Sequence, residues 1–80
     1  MDYKFSQHAI EQMEMRGISE DEVLYAIDNP HQIVEAKNGR KAYHRMIAKG
    51  GRFFLLRVFV RQESRLIISV YYTSKGGYWE

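Results

Sequence analysis

Two helices packed on one face of a four-stranded antiparallel sheet, in the order ααββββ, is the α+β fold that the sequence predicts. Three observations predict it. Arg52 to Arg61 and Leu66 to Lys75 are long β-branched and aromatic runs separated by the polar Gln62-Glu63-Ser64-Arg65, the pattern of a central antiparallel hairpin. Asn38-Gly39, the strongest short hairpin signal a sequence offers, lies between two further runs at 32–37 and 40–47. Upstream, Gly17-Ile18-Ser19 separates two stretches of helical periodicity.

Taken in order, Asp2 to Phe5 is short, either a strand or an extended lead-in. Ser6 suits an N-cap for a helix over Gln7 to Arg16, with Ile10, Met13 and Gly17 on the apolar side, Ala9 at its flank, and His8, Gln12 and Met15 on the other. Gly17 is placed to end that helix in the left-handed conformation. Ser19 and Glu22 fit a capping box, and Ile18 with Val23 a hydrophobic staple, for a second helix from Glu20 to about Asp28 that buries Val23, Leu24, Ala26 and Ile27. Glu20, Asp21 and Glu22 complement the helix dipole there, so this acid run reads as capping and not as a metal site. Pro30 closes the helix. Ala48-Lys49-Gly50-Gly51 turns the chain into the central hairpin. Alternation along that hairpin puts Phe54, Leu56, Val58 and Val60 of one strand, and Leu66, Ile68, Val70 and Tyr72 of the other, on the core side. The opposite face then gathers Arg57, Arg61, Ser69, Tyr71 and Thr73.

Eighty residues make a single domain, 1–80, with one modest core. An apolar fraction of 45% places the chain among folded proteins. There is no cysteine, which excludes a disulfide framework and thiolate chemistry and fits a cytoplasmic location. No apolar run reaches membrane-spanning length, and Met1-Asp2-Tyr3-Lys4 carries no signal-peptide pattern. The net charge of +2 hides an asymmetry: residues 1–36 hold eight Asp/Glu against two Lys/Arg, whereas residues 37–80 hold ten Lys/Arg against two Asp/Glu. With the acidic half on one side of the sheet, the other side presents a positive field to a polyanion such as RNA. Strand arginines that only guard edges are the plain alternative.

Several motifs carry a family likeness. Ser6-Gln7-His8-Ala9, Arg16-Gly17-Ile18-Ser19, Asn29-Pro30, Gly39-Arg40 and the ending Val70-Tyr71-Tyr72-Thr73-Ser74-Lys75 with Tyr78-Trp79 resemble a group of short prokaryotic proteins similar to the RelE-like and BrnT-like ribonuclease toxins. The resemblance implies a compact α+β toxin fold, metal-independent RNA cleavage with RNA free or on the ribosome, and a cognate antitoxin partner. RelE-like toxins usually carry a strand before the helices, for which only Asp2 to Phe5 is available here. His8, Arg16, Arg40 and the Thr73-Ser74-Lys75 end match the group's pattern most clearly.

Cleaving RNA without a metal needs a base for the 2′-hydroxyl, an acid for the leaving oxygen and cations around the phosphate. His8 is the proton-transfer candidate, because histidine is the side chain type suited to proton transfer near neutral pH. His31 in a turn and His44 on a strand read first as structural. Arg57, set between Leu55 and Phe59 on a central strand, is the candidate phosphate ligand. Tyr71 and Thr73 share its face and complete the catalytic set. Arg16, Arg40, Arg45, Arg61 and Lys75 extend the contact along the RNA backbone. Tyr43 and Tyr71 are available to stack on bases, and Tyr72 reads as core. The three histidines lack ligand spacing, and Gly50-Gly51 and Gly76-Gly77 are turn chemistry, so zinc, ATP and NAD are not expected. Two other functions fit the same residues: a non-catalytic nucleic-acid-binding module, and a protein-interaction domain using Met15, Tyr78 and Trp79.

Overall fold

The computed structural model describes residues 2–73, and Ser74, Lys75, Tyr78 and Trp79, with the roles expected of them, lie outside these. The described elements are β1 (Lys4–Phe5), α1 (Gln7–Arg16), α2 (Glu20–Asp28), β2 (Gln32–Glu35), β3 (Arg40–Lys49), β4 (Arg52–Arg61) and β5 (Leu66–Thr73). The strands form one sheet in the order β1-β5-β4-β3-β2. Four of them pair as an antiparallel meander, but β1 joins β5 in parallel, Lys4 opposite Leu66 and Phe5 opposite Ile67. The sheet is therefore five-stranded and mixed, not the four-stranded antiparallel one expected. A two-residue strand carries almost no periodicity, and its pairing with a strand some sixty residues away is invisible locally.

Both helices begin where their caps dictate. Ser6 Oγ accepts the Ala9 N–H at 3.0 Å and its hydroxyl donates to the Ile68 carbonyl at 3.0 Å, so one side chain starts α1 and fixes it to β5. Gly17, at φ 66°, ends α1, and the Ile18 N–H reaches back to the Met13 carbonyl. The Ser19–Glu22 capping box is complete, with both reciprocal bonds made at 2.9 and 3.1 Å. Ala9 and Met13 of α1 and Val23, Ala26 and Ile27 of α2 pack onto Tyr43, Leu56, Val58, Val60, Ile67 and Val70 of the sheet. Leu24 is only partly buried.

The face assignment on β5 needs a correction. The β4–β5 register shifts between Phe59 and Val60, so that Phe59 faces Ser69 while Val60 faces Ile67, leaving Ile68 as the extra residue of a bulge. N-terminal to the bulge the parity reverses, and fully buried Ile67, not Leu66 or Ile68, joins the helix-side core. C-terminal to it the predicted alternation holds, with Val70 in the core and Ser69, Tyr71 and Thr73 on the other side.

Candidate functional site

The turns set the register that builds the site. Gly50 and Gly51, at φ 58° and 77°, form a two-residue turn whose paired positive φ values suit the twist of the strands they join. Counted outward from this turn, His44 on β3 falls opposite Arg57 on β4, and Arg57 in turn faces Tyr71 on β5. On the other flank, Gln32 of β2 faces His44. Gln32, His44, Arg57 and Tyr71 thus form one row across four strands, on the face turned away from the helices.

Within this row the hydrogen bonds are directional. Arg57 Nε donates to His44 Nε2 at 3.1 Å, and Nη1 donates to the Tyr71 hydroxyl oxygen at 2.8 Å. A guanidinium has no acceptor, so Nε2 must offer a lone pair and the ring proton sits on Nδ1. That Nδ1–H points to Gln32 Oε1 at 3.3 Å. His44 is 2% exposed. Burial, and then the charge of Arg57, hold its pKa below the ordinary imidazole value, so the neutral form is favoured. Arg57 also lies against two rings, 5.1 Å from the centre of Phe59 and 5.4 Å from that of Tyr71, and those rings stack on one another at 5.8 Å. Each contact narrows the rotamers open to a long side chain, and together they hold the arginine at the middle of the face.

Of the sequence-derived candidates, the structure brings together Arg57, Tyr71 and, two residues further along β5, Thr73. Arg40 and Arg61 share the same outer face, paired with each other. His8 does not join them: it is exposed on α1, in the helical layer. Arg16 is exposed at the end of the same helix, where its carbonyl accepts the Tyr72 hydroxyl. Arg45 faces the helices, donating to the Asn29 carbonyl and lying over the Tyr25 ring at 4.7 Å, so it caps the end of α2 and is not part of the outer face. Lys41 and Lys49 also point to the helix side, paired with Glu35 at 3.9 Å and Glu22 at 3.4 Å. Part of the basic half thus pairs with the acidic half on the helix side, while Arg40, Arg57 and Arg61 lie on the outer face.

The residue that sequence reasoning undervalued is His44. Its signal was present as register, since the Gly50-Gly51 turn alone places it opposite Arg57. His31 stays structural, its Nδ1 accepting the Met46 N–H at 3.1 Å and its backbone N–H donating to the His44 carbonyl at 2.8 Å. Among the described residues no three His, Asp or Glu side chains converge to hold a metal ion. Nor is any described helix long and apolar enough to cross a membrane.

A short α+β domain with a polar His–Arg–Tyr row on the sheet face turned away from its helices is the class that fold and site define. The chain belongs to a family described as a domain of unknown function (DUF4258), whose model matches residues 5–72. No curated protein and no solved structure matches it. The matched span runs from β1 to within one residue of the end of β5, and so contains the whole row.

Proposed function

We propose that the protein is a small metal-independent endoribonuclease that binds RNA across the outer face of its sheet, with Arg57 on the scissile phosphate. The observation that supports this is the fork of Arg57, one guanidinium bonded at once to the lone pair of a buried neutral imidazole and to a phenol oxygen. On meeting the phosphate, Arg57 transfers its Nε–H from His44 to a phosphate oxygen, stabilising the charge that grows there. The imidazole lone pair this releases takes the proton of the RNA 2′-hydroxyl, a transfer that requires His44 to be neutral beforehand. The 2′-oxygen bonds to phosphorus, the bond from phosphorus to the 5′-oxygen breaks, and the Tyr71 hydroxyl protonates the leaving oxygen. The products are a 2′,3′-cyclic phosphate and a 5′-hydroxyl, and exchange with water then resets the imidazolium and the phenolate. Thr73 borders the path of the strand.

The likeness of the motifs to RelE-like and BrnT-like toxins extends this proposal. Such an enzyme works in the cytoplasm as the toxin of a toxin–antitoxin module, on RNA that is free or on the ribosome, and the antitoxin silences it by covering the outer face. The test is cleavage of RNA by the purified chain in the presence of a chelator, with the products analysed for cyclic phosphate ends. Arg57→Ala, His44→Gln and Tyr71→Phe should each lower the rate by about 10²-fold or more, the usual scale for losing a positioned acid, base or charge stabiliser. His8→Ala, far from the row, should keep the parent rate. An absolute need for added metal, or an Arg57→Ala variant as active as the parent, would refute the proposal.

The burial of His44 favours one other function, RNA binding without cleavage, in which the imidazole only props Arg57 from below. Salt-sensitive RNA binding that depends on Arg57 but yields no product would select it.

A further inference from the structure

At the far end of the outer face, the register sets Arg40 of β3 directly opposite Arg61 of β4. Like charges so placed repel. Among the described residues neither arginine forms an ion pair, whereas Lys41 and Lys49 of the same sheet do. Arg40 carries a second anomaly, because its Nε–H is buried and has no hydrogen-bond partner among the described residues. A buried donor left unsatisfied is unfavourable, and native structures usually explain it by a ligand or a function. Against Arg61 lies a depression of about 640 Å³, lined also by Asn38, Gly39, Gln62 and Glu63. Its walls are braced: the Gln62 N–H bonds the Gly39 carbonyl and Gln62 Nε2 donates to the Tyr43 hydroxyl, both at 3.3 Å. An anion seated between the arginines would relieve the repulsion.

We infer that Arg40 and Arg61 form a second phosphate-binding site, which takes another phosphodiester of the RNA strand held at Arg57. Arg61 lies four residues along β4 from Arg57 on the same face, a separation of roughly 13–14 Å at the usual rise of a strand. Phe59 stands midway between them and stacks on Tyr71, so an aromatic surface able to take a base separates the two cationic sites. Glu63, which also lines the depression, opposes an anion and moderates its affinity. The inference rests on the proposed function only in naming RNA as the source of the phosphate.

The experiment uses the full chain and two 2′-O-methyl RNAs that resist cleavage, a dinucleotide and a hexanucleotide. Arg61→Ala and Arg40→Gln should each weaken hexanucleotide binding about 5- to 10-fold at low salt and reduce the log–log salt slope by about 0.7, the share of one single-strand phosphate contact. Both should leave dinucleotide binding unchanged, while Glu63→Gln tightens the hexanucleotide. In the parent, the NMR signal of the Arg40 Nε–H should shift with the hexanucleotide and not with the dinucleotide. Arg57→Ala should weaken both RNAs. If Arg57→Ala does so while Arg61→Ala leaves hexanucleotide binding intact and the Arg40 signal stays still, the second site is refuted and the role of Arg57 stands. If Arg61→Ala alone weakens binding, the second site survives and the role of Arg57 falls. Indifference to all the arginine substitutions overturns both.

Discussion

His44 and Arg57 face each other across β3 and β4, and the guanidinium Nε–H is bonded to the imidazole Nε2 at 3.1 Å. A cation that donates to an imidazole is compatible only with the neutral ring, so burial and the arginine act in the same direction on His44. This one pairing fixes the ring's tautomer and keeps it unprotonated.

Removing the cation should therefore be visible at the ring. In Arg57→Ala the Coulombic cause of the depressed His44 pKa is gone and the burial around it is reduced, so the pKa rises toward the ordinary 6.5. Titration of the imidazole signals by NMR measures this. Nitrogen shifts of the parent should show the proton on Nδ1. A His44 pKa unmoved by the substitution would mean that the guanidinium is not its neighbour in solution.

Stability should follow the same group. The folded-state pKa of His44 is depressed, so between that value and 6.5 the unfolded chain binds more protons than the folded one. The contribution is then fully present above about pH 6.5 and is lost as pH falls through the folded pKa, with a slope of at most about 1.4 kcal/mol per pH unit for one proton. Urea unfolding across this range should show the parent losing stability as pH falls, and His44→Gln, which has no proton to gain there, should show a flatter dependence. A variant with the parent's slope would assign the effect to other groups.

Much of this architecture is legible in the chain itself, because its signals are local. Ser6, Gly17, Ser19 and Glu22 mark the helix ends by short-range bonds, and Gly50-Gly51 marks a turn by conformation alone. What escapes such reading is non-local. The pairing of β1 with β5 depends on strands far apart in sequence. The bulge at Ile68 adds one residue to an otherwise regular alternation and leaves no sign in the pattern of apolar residues. The site divides in the same way. Arg57, Tyr71 and Thr73 follow from alternation within strands, but His44 requires counting across a turn. Arg45 has the residue type of a phosphate ligand yet the parity of a helix-side residue.

The bulge makes a sharp distinction between neighbours. Ile67 is fully buried in the core and Ile68 is half-buried, so Ile67→Ala should destabilise by about 2–5 kcal/mol, as buried isoleucine truncations do, and Ile68→Ala by clearly less. Chemical denaturation of the two variants decides it. The opposite order would restore the unbroken alternation along β5 and remove the bulge.

Gln12 offers the last prediction, about how the edge of β5 is kept from pairing with other chains. β1 covers only Leu66 and Ile67, so beyond it β5 would present bare backbone groups, the usual template for edge-to-edge association. Helix α1 supplies the missing partners: Ser6 donates to the Ile68 carbonyl, and Gln12 Oε1 accepts the Val70 N–H at 2.8 Å. Gln12→Ala leaves the Val70 donor without that acceptor, which should lower stability by about 1–3 kcal/mol and speed hydrogen exchange at the Val70 amide. Gln12→Glu keeps an acceptor oxygen in place and should retain the protection at Val70 while its carboxylate is ionised. Fast exchange at Val70 in the parent would show that Gln12 does not seal this part of the edge.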